Sequence, residues 1–369
     1  MTRTRLRDLG IAIGTYPTGP FNAITDVPDV LVGHTTLIYD EPRVARTGVT
    51  MILPRRGEIW RDNAPAAIHS FNGCGEMTGA HWIKESGMLS TPIGITNTHQ
   101  VGVVHNAIGI YGQEHGFTHM FTLPVVAETY DGWLNGADAQ HITKEHVFAA
   151  IGNAKSGTID EGNVGGGTGM ICHDFKGGIG TSSRVVETKS GRYTVGALVQ
   201  ANYGDRQLLR VDGVPVGREI GGDIVPIPGD ERRNPAEGWN NPRLLVGSII
   251  IIIATDAPLI SSQCKRLAQR ATVGLSRVGG VGHNGSGDIF LAFATGNHIP
   301  ERSKKLIDLK MMPNHHLNPM FDAVAEATEE AILNALCAAE TMTGFNEHTV
   351  YALPLDMLAA IMKKYGRQI

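Results

Sequence analysis

The longest apolar run of the chain is Leu244 to Thr255, and it holds five consecutive isoleucines, Ile249 to Ile253. Such a run reads as a strand covered on both faces. Shorter apolar stretches predict strands over 29–34, 48–54, 67–71, 93–98, 195–203 and 289–295. Helical spacing predicts helices over 76–86, ending at Gly87, and over 137–154, with Ile142, Val147, Phe148 and Ile151 on one side. Further helices are predicted over 261–276, over 318–343 with Gly344 as its terminating glycine, and over 353–365. Residues 205–243 are polar and rich in Pro and Gly, and read as an exposed excursion. Strands and helices mix without βαβ alternation or internal repeat. The pattern therefore predicts an α+β layered sandwich rather than a doubly wound sheet.

A polar position interrupts the isoleucine run at its start. Gly247-Ser248 is out of place there, because glycine costs a strand entropy and packs nothing. A polar loop, Pro228 to Pro242, leads straight into it. That combination suits a chain cut between Gly247 and Ser248, which makes Ser248 a new N-terminus with a hydroxyl nucleophile and its own α-amino base. The plainer alternative is a buried strand with a bulge at Gly247 and a serine bonded back to the backbone. The run alone leaves both open.

Composition narrows the class. With 369 residues, 42% hydrophobic and 18% charged, the chain is globular and long enough for one large domain. A net charge of -4 gives no reason to expect nucleic acid or an anionic membrane as partner. The 46 glycines are not periodic and signal tight turns and close backbone approaches. Cys74, Cys172, Cys264 and Cys337 are far apart and form no C-x-x-C pair, which reads as buried thiols in a reducing compartment. The basic start, Met1 to Arg7, has no apolar segment after it, so no signal peptide is expected, and a cytoplasmic location follows.

Candidate chemistry is sparse. Gly280-Val281-Gly282-His283-Asn284-Gly285 matches G-x-G-x-x-G, but it follows a predicted helix and precedes a strand, the reverse of a dinucleotide turn. Next to it, Ser286 and Asp288 sit two apart and would share one face of an extended segment. They could orient a nucleophile or relay a proton, or could form an Asx-type turn before the strand. Gly165 to Gly169 lacks the Lys-Ser/Thr of a phosphate loop and suggests close backbone packing near a site. His99 and His105 are six apart with no metal-binding spacing, so no metal is expected. There is no G-x-S-x-G elbow. Glu128, Tyr130 and Asp131 close the apolar stretch 123–127 and are either site residues or a solvated strand end.

Taken in order, these blocks resemble the DmpA-like aminopeptidases, the L-aminopeptidase/D-amidase/D-esterase and β-peptidyl aminopeptidase group. The resemblance runs nearly end to end. It covers Ile24 to Val30, Gly75 to Gly79, Thr96 to Thr98, Val125 to Gly132, Asn163 to Met170, Val199 to Gly204, Gly247-Ser248 with Thr255 to Leu259, and Gly285 to Asp288. It implies an αββα four-layer sandwich of the N-terminal-nucleophile hydrolases, cut by itself into 1–247 and 248–369. Carried over, Ser248 is the nucleophile. Tyr130 and Asn202 match the positions that stabilise the oxyanion, and Glu128 matches the carboxylate that holds the substrate's free amino group. Ser286 and Asp288 match a pair that contacts the nucleophile, with Asp288 standing where some relatives have glutamate.

The resemblance implies a serine aminopeptidase or amidase that acts on short peptides, amides or esters, β-amino acid and D-residue substrates among them. It implies no cofactor, and a homo-oligomer, a tetramer of processed pairs. The alternatives are an amide hydrolase of non-peptide substrates or an acyltransferase of the same fold. Outside that fold, the rivals are a dinucleotide-dependent oxidoreductase using Gly280 to Gly285 and a binding protein that is never cut.

Overall fold

The computed structural model describes residues 3–117, 121–229 and 247–367. Nine main strands form two sheets: β1 (Leu31–Tyr39), β2 (Ala45–Leu53), β3 (Asp62–Ser70), β4 (Ile93–Asn97), β5 (Val125–Thr129), β6 (Gly178–Thr188), β7 (Gly191–Asn202), β8 (Ser248–Thr255) and β9 (Gly287–Ala294). The smaller sheet has the order β1-β2-β4-β5. The larger has the order β3-β9-β8-β7-β6, with short strands Ile299–Pro300 and Met88–Leu89 pairing β3. Four helices cover the outer faces: α1 (Val101–Glu114), α2 (Lys144–Gly152), α3 (Ser261–Val278) and α4 (Asn318–Ala338).

The isoleucine run explains how the layers hold together. Successive side chains of a strand point to opposite faces. In β8, Ile249, Ile251 and Ile253 join the core formed with α3 and α4, against Leu267, Ala271, Val324 and Ala331. Ile250 and Ile252 point the other way, into the core shared with Met51, Ile95 and Val126 of the smaller sheet. All five are fully buried, and each buried isoleucine contributes about 1.5–3 kcal/mol. On the far side, Val104, Ile108, Val147 and Ile151 lay α1 and α2 on the smaller sheet. The result is the expected four-layer αββα sandwich.

Element ends depart from the expected ones in instructive ways. The 318–343 helix stops at Ala338, and Gly344 is not its cap. The apolar pattern runs on because Met342 is buried with Leu134 and Val350 in a small separate cluster, on a two-residue hairpin strand. The 137–154 helix begins only at Lys144; Ile142 is buried from a loop, its N–H on the Gln100 side chain (3.2 Å). The 76–86 helix begins at Ala80. The 205–243 excursion is only partly exposed over its described part. Leu209, Val211, Val214, Val216 and Ile220 are buried there, and Arg206 lies over the Phe175 ring (3.4 Å) while donating to surrounding carbonyls. Residues 230–243 and Leu244 to Val246 lie outside the described residues. Three thiols are buried, but Cys74 is exposed.

Candidate active site

Ser248 opens β8 in the middle of the larger sheet. It pairs Asn202 at the end of β7 on one side and Gly287 at the start of β9 on the other. Its side chain is nearly buried, at 7% exposure. The Gly287 N–H donates both to the Ser248 hydroxyl oxygen (3.1 Å) and to the carbonyl oxygen of Gly247 (3.1 Å). One backbone donor thus serves the hydroxyl and the carbonyl just upstream of it. Ser286 and Asp288 flank that donor, and the Ser286 hydroxyl donates to Asp288 Oδ1 (2.6 Å). Burial pushes the Asp288 carboxyl up to about 6, against the hydrogen bond from Ser286. The group can therefore take and return a proton near neutral pH.

Glu128 lies inside β5, not at a solvated strand end, and only 3% of it is exposed. Its Oε1 accepts the Glu76 N–H (2.9 Å) and its Oε2 accepts the Thr98 hydroxyl. Burial raises its pKa despite those two bonds. The segment that supplies Glu76 joins the two sheets. Phe71 N–H donates to Asp288 O (2.9 Å) and Cys74 N–H to Ser286 O (3.1 Å), while Thr78 N–H donates to Val126 O (2.9 Å). Gly75 and Gly287 touch backbone to backbone: a Cβ on Gly287 would stand 2.7 Å from the Gly75 Cα.

Asn202 is held from both ends of its amide. Oδ1 accepts the Ile171 N–H (2.8 Å), and Nδ2 donates to the Tyr130 carbonyl (3.0 Å), leaving a second Nδ2 hydrogen. The Tyr130 side chain is part exposed and folds over Gly132, where any Cβ would collide with its hydroxyl. Beneath this pair lies Lys176, which is fully buried and donates to the carbonyls of Met170 (2.9 Å), Gly177 (2.9 Å) and Gly167 (3.4 Å). Burial pushes its pKa down to about 7, against the charge of Asp131. Asp131 is buried too, and burial lifts it to about 6. The Met170–Ile171 peptide is thus gripped at its carbonyl by Lys176 and at its N–H by Asn202.

The sequence profile of peptidase family S58 matches residues 22–350. The chain belongs to peptidase family S58. It is 47% identical over 372 residues to the β-peptidyl aminopeptidase BapA of Sphingosinicella microcystinivorans, covering 98% of this chain and 93% of that one. BapA of Sphingosinicella xenopeptidilytica is 45% identical, over 97% and 91%. A Burkholderia sp. β-aminopeptidase structure superimposes with a TM-score of 0.90 at 47% identity, over 99% of this chain and 100% of that one. The L-aminopeptidase D-Ala-esterase/amidase of Ochrobactrum anthropi, described as a variant of the N-terminal-nucleophile hydrolase fold, gives 0.89 at 42% identity, over 99% of both chains. The chain is accordingly a hydrolase of the aminopeptidase and amidase type.

Within this S58 chain, most of the catalytic residues singled out from the sequence fall into one place, while Tyr130 is tied to them through its carbonyl on Asn202 and not through its hydroxyl. Ser248, Asn202, Ser286 and Asp288 meet at the ends of three adjacent strands, and the 71–78 segment links them to Glu128. Gly247 needs no special conformation. It is not in a left-handed conformation, and a Cβ there would meet Tyr203 at an ordinary 3.4 Å, so no strain calls for glycine. The Gly280 to Gly285 loop sits between α3 and β9, and Gly282 packs against the Phe71 ring. Gly165 to Gly167 and Gly169 do pack closely against backbone and polar atoms of both sheets: a Cβ on Gly166 would stand 2.6 Å from Ile95 O, and one on Gly169 would run into Arg46 O. The sequence reading missed the Gly287 N–H, Thr98 and Lys176. A backbone donor has no sequence signal; a lysine flanked by Phe175 and two glycines is a faint one. Among the described residues, no helix is long and apolar enough to cross a membrane.

Proposed function

We propose that this aminopeptidase cuts itself between Gly247 and Ser248 and then uses Ser248 as an N-terminal nucleophile. The reading is carried by the Gly287 N–H shared between Ser248 Oγ and Gly247 O. In the intact chain Ser248 Oγ adds to the Gly247 carbonyl carbon. Its proton passes to the Ser286–Asp288 pair, and the oxyanion forms on the oxygen that Gly287 N–H already holds. The C–N bond then breaks, the nitrogen takes the proton back, and water hydrolyses the resulting ester to a Gly247 carboxylate and free Ser248.

In the mature enzyme the freed α-amine removes the hydroxyl proton as Ser248 attacks the substrate carbonyl. It then gives that proton to the leaving amine. Water releases the acyl group in a second cycle of the same transfers. The free Nδ2 hydrogen of Asn202 and the Tyr130 hydroxyl are the donors to the oxyanion. Glu128 binds the substrate's ammonium, which restricts cleavage to the N-terminal residue. Relatives carry the name β-peptidyl aminopeptidase, so β-amino acyl amides belong among the substrates, beside α-amino acyl amides and esters. We place the enzyme in the cytoplasm as a homo-oligomer of processed pairs, and assign it neither cofactor nor metal.

Purified enzyme should run on a denaturing gel as two bands of about two thirds and one third of its 39.6 kDa mass. The smaller band should read Ser-Ile-Ile from its N-terminus. Ser248→Ala should stay whole and inactive, and prolonged EDTA should not slow the wild type. An active preparation that remains a single band would remove the basis of this assignment.

A further inference from the structure

The 71–78 segment is bonded to both halves of the site. At one end, Phe71 N–H and Cys74 N–H donate to Asp288 O and Ser286 O, and Asn72 O accepts the Asp288 N–H (3.1 Å). That stretch of β9 holds Ser248 through the Gly287 N–H. At the other end, Glu76 N–H holds Glu128, while Met77 bridges Ala127 and Thr78 donates to Val126. Only Gly75 lies between the Cys74 and Glu76 anchorages. The middle of the segment is also the tightest place. A Cβ on Gly75 would lie 3.0 Å from the Gly287 Cα and 3.2 Å from Glu128 Oε1, and a Cβ on Gly287 would run into Cys74 O. Two side-chain-free residues let the backbones close up, and no slack remains between carboxylate and nucleophile.

We propose that this segment is a ruler: it fixes the spacing between Glu128 and Ser248 and so sets the preference between substrates with one and with two backbone carbons between amine and scissile carbonyl. The inference rests on the reading that Glu128 binds the ammonium. An α-amino acyl group places one carbon between amine and carbonyl; a β-amino acyl group places two, an added reach of about 1.5 Å. A spacing set by bonded backbone discriminates between them, where a carboxylate on a loose loop would follow either amine. Lengthening the ruler therefore favours the β-amino substrate.

Two variants lengthen it independently. Gly75→Ala wedges a methyl between Gly287 and Glu128, and Glu128→Asp withdraws the carboxylate by one methylene. For each, kcat/KM is measured on the p-nitroanilides of alanine and of β-homoalanine. The expected result is a rise in the β-to-α ratio, about threefold or more for Gly75→Ala and larger for Glu128→Asp, whatever happens to the absolute rates. Equal losses on both substrates, or a ratio that falls, would overturn the ruler. If Gly75→Ala does not fold, a chain with one glycine inserted between Gly75 and Glu76 takes its place, because Glu128→Asp moves the carboxylate without touching the segment. Glu128→Gln separates this from the underlying reading. Undiminished hydrolysis of free-amine substrates by that variant removes Glu128 from ammonium binding altogether. Its slowing, with an unchanged ratio in the other two variants, refutes the ruler alone.

Discussion

Glu128 carries a carboxylate almost out of reach of water, with one backbone N–H and one hydroxyl as partners. A substrate ammonium arriving there meets an acceptor with little solvent to screen it, a contact worth about 1.5–3 kcal/mol. Glu128→Gln should therefore lower kcat/KM on free-amine substrates by about one to two decades. N-acetylated substrates should already be poor for the wild type; their rapid hydrolysis would show an endo-acting site instead. Asp288 makes a separate claim about pH. Because burial raises its carboxyl to about 6, the proton-accepting form is lost as pH falls through that value. Self-cleavage of freshly made chain should slow correspondingly on the acid side, and Asp288→Asn should remove that limb together with most of the rate. A cleavage rate that stays flat from about pH 8 to 5 would exclude Asp288 as the acceptor. Mature activity should titrate separately with the Ser248 amine, somewhat below the free value of about 8 where the site is desolvated.

Between elements, the grip on the Met170–Ile171 peptide makes Lys176 a support for Asn202. Lys176→Met should lower kcat about tenfold with little change in KM, since a misplaced oxyanion donor weakens only the transition state. In an Asn202→Ala background the same change should cost almost nothing more. Additive losses would mean that Lys176 acts elsewhere. Neither the role of Lys176 nor the bridging role of the 71–78 segment was legible in the sequence, for a physical reason. Lys176 turns back onto the carbonyls of its own 167–177 loop, and the partners of 71–78 lie on other elements, as with Cys74 on Ser286; no strand or helix period encodes either. What was legible is what local pattern does encode: the doubly covered Ile249–Ile253 strand, the α+β layering and the Ser286–Asp288 face. Where pattern misled, at 339–343 and at 209–220, apolar residues were buried by a hairpin and by a folded loop rather than by a continued helix or not at all. Tyr130, Asn202 and Glu128 were reached through the family resemblance, because a strand end alone left both readings open.

At the scale of the whole molecule, the two products of the proposed cut are joined by buried charge. Arg7 and Arg184, on the larger piece, both bind Glu330 on α4 of the smaller (2.7 Å each), and Arg184 also binds Glu326 (3.0 Å). Burial pushes the Glu330 carboxyl up, but Arg7 and Arg184 outweigh it and hold it below the usual range. A depressed carboxyl adds stability above its unfolded pKa and surrenders it as pH falls, so the pair should weaken in acid. Glu330→Gln leaves Arg184 buried with one of its two carboxylates and should cost about 3–5 kcal/mol in urea unfolding of the mature enzyme near neutral pH. A loss under about 1 kcal/mol would show that this buried charge adds little to the strand pairing and hydrophobic burial that unite the pieces. The strand order carries a consequence for the timing of biosynthesis. Strands β8 and β9 belong to the smaller piece yet lie between β7 and β3 of the larger. Made alone, residues 1–247 would have a gap two strands wide through the middle of their sheet, with raw edges on either side. The proposed scission can thus only be a late event, performed by a molecule already complete, and a gene divided at the same place should yield two insoluble polypeptides where the undivided gene yields an enzyme.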